Sequence, residues 1–243
     1  MNDEPTNFRE HRMIEHNDDR LTQRRGFLGR LLGGAAAMTL LGATPRSLLA
    51  DDGAPRSATD APGDDWMNEL KGKHRTVFDM SAHGNGKPLT QAKNYLDAWR
   101  DAFKVPEGDL NLVFGVHGNA IPVVLTDALW ARYKIGEQYE VTDAGTKAAG
   151  VHNVFSSANA AASGLVTPEQ SVEGLQKRGV RFIICMNTIA GATKKLSAAG
   201  FGGADEIRAA LMGGMLPGVI TVPAMVVALT QLQERGVHYT KIA

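Results

Sequence analysis

The sequence predicts an α/β protein: a three-layer α/β/α sandwich around a five-stranded, mostly parallel sheet. Three observations predict it. From about residue 75 onward, apolar runs short enough for strands alternate with segments of helical period. The runs at 110–116 and 180–185 are almost continuously aliphatic, as in strands covered on both faces. A helix-length segment follows each run, and that alternation implies parallel strands joined by right-handed crossovers.

Taken in order, residues 75–80 are the first strand. In 89–103, Ala92, Leu96, Trp99 and Phe103 recur at three- and four-residue steps and so share one helical stripe. Residues 110–116 form the second strand. Residues 121–133 are expected as one helix with Val124, Leu125, Ala128 and Leu129 on its inner face. The stretch 135–168 is rich in Ala, Gly, Ser and Asn and has few periodic positions. Because so long a loop is uncommon inside a compact domain, part of it is expected to be a short helix, a lid or an oligomer contact. Residues 168–177 then give a helix ended by Gly179, a residue suited to a left-handed cap. Residues 180–185 are the third strand, and Asn187 or Thr188 is expected to cap a helix running to Ala199. A short helix over 205–212 precedes the Pro217-Gly218 turn into a strand at 219–222. Pro223 suits the first turn of a helix to Glu234, Gly236 ends it, and residues 238–242 close the sheet.

Composition bounds the function. The chain has 243 residues, 43% hydrophobic and 21% charged, which is globular rather than disordered. Its 26 basic residues balance 26 acidic ones, so it carries no electrostatic footprint for nucleic acid. A single cysteine, Cys185, excludes an intramolecular disulfide and any zinc site built from several thiolates.

Residues 1–50 read as an export signal. A charged stretch is followed by a short Gly/Ala-rich apolar run from Leu31 to Ala43, then by small Ala50 before acidic Asp51. The adjacent pair Arg24-Arg25, with Phe27 and Leu28 behind it, resembles the twin-arginine signal. That signal makes the twin-arginine translocase a partner during export and the periplasm the destination, with a membrane anchor as the outcome if the signal stays uncleaved. Residues 51–72, rich in Asp, Pro, Gly and Ala, read as a linker, leaving 73–243 as the folded domain.

In a parallel sheet, ligands collect outside the carboxyl ends of the strands. Three segments should arrive there: His83-Gly84-Asn85-Gly86, His117-Gly118-Asn119 and Cys185-Met186-Asn187. Cys185 ends a strand and precedes a helix, whose positive end favours a thiolate; the other reading is a small buried apolar side chain. His117 can move a proton, pair with the sulfur or bind a metal, or else satisfy backbone at a strand end. The glycines around His83 expose N–H groups to an anion, although such turns also occur without ligands. Cys185 and Met186 are soft ligands for copper or haem iron, with His117 as a third donor.

The run Gly179-Val180-Arg181-Phe182-Ile183-Ile184-Cys185-Met186-Asn187-Thr188 resembles the hallmark of the DsrE/DsrF-like family. So do Leu216-Pro217-Gly218-Val219-Ile220-Thr221-Val222-Pro223, the following Leu232-Gln233-Glu234-Arg235-Gly236, and Val116-His117-Gly118. The resemblance covers residues 75–243. It implies a five-stranded parallel sheet assembled as a homo-oligomer, and in sulfur-trafficking members a cysteine matching Cys185 that carries sulfane sulfur as a persulfide to another protein. Those members are cytoplasmic. This chain departs from them in its export signal, in the long segment before the third helix, and in Met186.

The function expected is therefore sulfur binding or transfer on Cys185 with His117 assisting, and Asn119, Asn187, Met186 and His83 around the ligand. Thiosulfate or a protein-bound persulfide would be the donor. The alternatives are a non-catalytic periplasmic module holding haem or a soft metal, and an oligomeric scaffold without chemistry.

Overall fold

The computed structural model describes residues 65–242, so the export-signal expectation, Arg24 and Arg25 included, lies outside the described residues. Five strands pair in parallel: β1 (His74–Ala82), β2 (Leu110–Asn119), β3 (Arg181–Cys185), β4 (Ile220–Val222) and β5 (His238–Ile242), in the order β4-β3-β2-β1-β5. The helices are α1 (Lys87–Asp101), α2 (Asp127–Tyr133), α3 (Ile135–Gln138), α4 (Ala160–Ser163), α5 (Val172–Lys177), α6 (Met186–Ala198), α7 (Ala204–Gly213) and α8 (Met225–Glu234). They lie on both sides of the sheet, which is the expected three-layer α/β/α sandwich.

The chain order explains why the two faces differ. From β1 to β4 the chain steps across the sheet in one direction; from β4 to β5 it returns across three strands. Keeping one crossover hand while reversing direction sends the connecting helix to the opposite face. Phe78, Met80, Phe114, Val116, Phe182 and Ile184 accordingly form one large core with α1, α2, α5, α6 and α7. Their odd-numbered neighbours Val77, Val113, Ile183 and Cys185 face a smaller core under α8, made with Met225, Ala228 and Leu232. This second face is thinly covered: Val226 and Val227 of α8 and Tyr239 of β5 remain exposed.

Four expectations are corrected. Packing starts earlier than residue 75, because a 3-10 turn at Asp65–Glu69 buries Trp66 and Met67, with Leu70, against the α8 core. The C-terminal end of the 51–72 linker is thus part of the domain; its three apolar side chains cover sheet surface that α8 leaves bare. Residues 121–133 are not one helix. A 3-10 turn at Ile121–Val124 ends where Leu125 is extended, and α2 begins after Thr126, so Ala128 faces solvent rather than the core. The helix expected over 168–177 begins only at Val172, where Ser171 caps it by accepting the Gly174 N–H at 3.0 Å. Finally, neither Asn187 nor Thr188 caps α6; β3 runs straight into the helix and Cys185 holds the capping position.

The segment 135–168 contains short helices α3 and α4 and packs inward. Val154 and Phe155 are buried, Phe155 against Trp130 with ring centroids 6.1 Å apart. Fully buried Asn153 organises it. Its amide donates to Val123 O at 3.1 Å and Leu125 O at 2.7 Å, and its carbonyl oxygen accepts the Phe155 N–H at 2.8 Å. Among the described residues, no helix is long and apolar enough to cross a membrane.

Candidate functional site

Four strand-borne polar or sulfur groups share the α8 face of the sheet: Asp79 on β1, His117 on β2, Cys185 on β3 and Tyr239 on β5. Strand periodicity puts them there, since each is in phase with an odd-numbered neighbour of the smaller core. The β2–β3 register ends at Val116 opposite Ile184. His117 and Cys185, each one residue further, are therefore cross-strand neighbours on backbones about 4.8 Å apart.

Cys185 is 4% exposed. Its extended backbone (φ −79°, ψ 130°) makes it the residue from which α6 departs, but its sulfur does not cap that helix. Sγ instead accepts the backbone N–H of Met225, the first residue of α8, at 3.3 Å. The first N–H groups of a helix have no partner within it, so the sulfur satisfies one of them. The N-terminus of α8 thus meets the sulfur, and α6 departs from the same residue; a helix N-terminus favours an anion placed beside it. Gly115 permits this approach: a Cβ there would stand 2.8 Å from Met225 Sδ.

His117, with 31% of its side chain exposed, is tied to Asp79, whose side chain is 11% exposed. The ring Nε2–H donates to Asp79 Oδ1 at 2.6 Å, and Asp79 Oδ2 accepts the Tyr239 hydroxyl at 2.8 Å. With Nε2 carrying the hydrogen, the neutral ring keeps Nδ1 as its acceptor. The carboxylate also holds the Tyr239 phenol above its ordinary range, so Tyr239 remains a donor. Sequence reasoning missed both residues. Asp79 had a signal, a carboxylate inside the apolar run Val77-Phe78-Asp79-Met80, since buried Asp is rare unless partnered. Tyr239 had none.

A cleft of about 410 Å³ opens over His117 and Cys185. His117, Asn119, Cys185 and Asn187 line it, joined by Thr188, Tyr139 and Lys195. The Thr188 hydroxyl accepts the Gly118 N–H at 3.1 Å, which ties the end of β2 to the first turn of α6. Burial pushes the Tyr139 phenol up to about 12, so it too is neutral.

Two candidates fall outside the cleft. Met186 begins α6 but packs against the larger core on the other side of the sheet, because consecutive residues leaving a strand point to opposite faces. A haem or soft-metal site made from His117, Cys185 and Met186 therefore loses its third donor. Among the described residues, no group of three or more His, Cys, Asp or Glu side chains is placed to hold a metal ion.

His83 is the other. Its Nδ1 accepts the Asn85 N–H at 3.2 Å and its Nε2–H donates to Tyr139 O at 3.1 Å, so it joins the end of β1 to the segment after α3. Desolvation lowers its pKa from 6.5, against smaller upward pulls from the Tyr139 carbonyl and the Glu140 charge. The unfolded chain then binds this proton more readily than the folded one. Stability contributed by neutral His83 is present above about pH 6.5 and is lost as pH falls below it. Urea denaturation at about pH 7.5 and about pH 5.5 should show that loss, and His83→Gln should reduce it.

No family model matches the chain, and a search of the curated proteins finds no match. Among solved structures, a protein of unknown function, MTH1491 from Methanobacterium thermoautotrophicum, is similar at 18% identity and a TM-score of 0.37, over 70% of this chain and 99% of its own. That likeness carries no argument about the site.

Proposed function

We propose that this is an exported DsrE-like sulfur carrier that binds sulfane sulfur as a persulfide on Cys185. The observation that carries the reading is a sulfur at the wall of a cleft that accepts the Met225 N–H, the first of α8, at 3.3 Å. A persulfide is an anion at neutral pH and gains from the positive end of that helix.

The step conserves atoms and electrons. His117 takes the Cys185 thiol proton, and the thiolate attacks the outer sulfur of a donor R–S–S⁻. A new S–S bond forms at Cys185 as the donor's S–S bond breaks. The electron pair leaves on the donor's inner sulfur, which receives the proton back from His117 as R–SH. Cys185 is left as Cys–S–S⁻ with no net oxidation, and transfer to an acceptor protein is the reverse step on a new thiol.

The test is the intact mass of the full chain after incubation with a low-molecular-weight persulfide. A gain of one sulfur atom is expected, reversible by dithiothreitol and absent in Cys185→Ala. A Cys185 that alkylates in the native protein yet never gains sulfur would overturn the proposal. A thiol inert to both reagents would favour an oligomeric scaffold without chemistry.

A further inference from the structure

We infer that the cleft beside Cys185 selects small anionic sulfane-sulfur compounds, thiosulfate and organic thiosulfonates as a class, over a persulfide presented by a protein. The inference rests on the sulfur-carrier reading and adds the chemistry of the donor.

The charge of the wall points to an anion. Lys195 is the one lysine or arginine lining the cleft, and no Asp or Glu lines it. Its ammonium lies 4.1 Å from the centre of the Tyr139 ring and donates to the Gln138 carbonyl. Neither partner carries a compensating charge, and no salt bridge joins Lys195 to a carboxylate among the described residues. Asp79, the acid bonded to His117, is occupied on both oxygens by His117 and Tyr239.

Hydrogen-bonding capacity stands beside that charge. Asn119 at the end of β2 and Asn187 in the first turn of α6 both line the cleft. Their side-chain amides make no hydrogen bond among the described residues and are free to donate to an oxyanion. The α6 N-terminus adds its dipole on the same side.

Size selects against a protein donor. A volume of about 410 Å³ falls toward the lower end of the ~300–1,000 Å³ usual for small-molecule pockets. Cys185 itself is only 4% exposed, so the group that delivers sulfur must enter the cleft rather than dock over it. With thiosulfate, the Cys185 thiolate attacks the outer sulfur, the S–S bond to the sulfonate sulfur breaks, and the electron pair leaves on sulfite. The proton held by His117 ends on that product as hydrogen sulfite, and Cys185 carries the persulfide. The oxyanion end faces Lys195 and the two amides; the sulfane end faces Sγ.

Titration calorimetry with sodium thiosulfate on the full-chain Cys185→Ala variant, which binds without reacting, tests the inference. Saturable binding is expected. Adding Lys195→Gln should weaken it about tenfold, the effect of losing one charge-assisted contact, and Lys195→Arg should restore most of it. Lys194→Gln, which removes a charge from the same helix outside the cleft, serves as the control for general electrostatics, and thermal melting confirms that each variant is folded. Thiosulfate binding that is absent, or indifferent to Lys195, overturns the inference, and persulfide formation on the wild-type chain from another donor would then leave the carrier reading standing. Thiosulfate binding with no sulfur gained from any donor would support the anion site and overturn the carrier reading instead.

Discussion

Asp79→Asn is expected to slow sulfur uptake at Cys185 about 100-fold, the scale of a lost proton-transfer group, without unfolding the domain. In the native protein the carboxylate accepts two hydrogen bonds, from His117 Nε2–H and from the Tyr239 hydroxyl. An asparagine offers one acceptor oxygen and one donor nitrogen in the same volume. If the oxygen stays with Tyr239, the amide N–H faces Nε2 and forces the hydrogen onto Nδ1. The ring is then the wrong tautomer, with no acceptor left for the thiol proton. Nitrogen NMR of His117 should show the tautomer reverse in Asp79→Asn. Asp79→Glu keeps two acceptors and should recover part of the rate. An unchanged uptake rate together with a reversed tautomer would remove His117 from the mechanism and leave the α8 N-terminus alone with the sulfur.

Asn153→Ala is expected to destabilise the domain by about 3–5 kcal/mol, because it strips partners from three buried backbone groups at about 1–3 kcal/mol each. Those groups are Val123 O, Leu125 O and Phe155 N. The first two belong to the irregular turn between β2 and α2, whose carbonyls find no helical partner where Leu125 is extended. The third opens the stretch that buries Phe155 against Trp130. Chemical denaturation of the variant checks the value. A loss below about 1 kcal/mol would mean that apolar packing, not Asn153, holds the segment in place.

Leu125 and Asn153 mark where the amino-acid pattern stops being readable. Residues 121–133 are apolar at helical spacing, so periodicity alone joins them into one helix. Pro122 can occupy the first turn of a 3-10 helix as readily as of an α-helix, and nothing local reveals that Leu125 O will be answered by Asn153, 28 residues on. Asn153 looked like one more polar residue in a stretch rich in Ala, Gly, Ser and Asn. Trp66, Met67 and Leu70 were hidden differently: the polar composition around them reads as a linker, and only the bare sheet surface beside α8 gives three apolar side chains something to cover.

Cys185 and His117 were legible because their positions follow from local alternation, a strand ending where a helix begins. That alternation also determined the α/β class and the five strands. The tertiary structure decided which groups meet. Asp79 reaches Tyr239, 160 residues away, because β5 returns to pair with β1, and Met225 reaches the sulfur because that return carries α8 over the opposite face. It also turned Met186 away from Cys185, one residue earlier. Periodicity records how each segment meets the apolar interior, a local property; the partner of a polar atom depends on strand order and crossover direction, which no single segment contains.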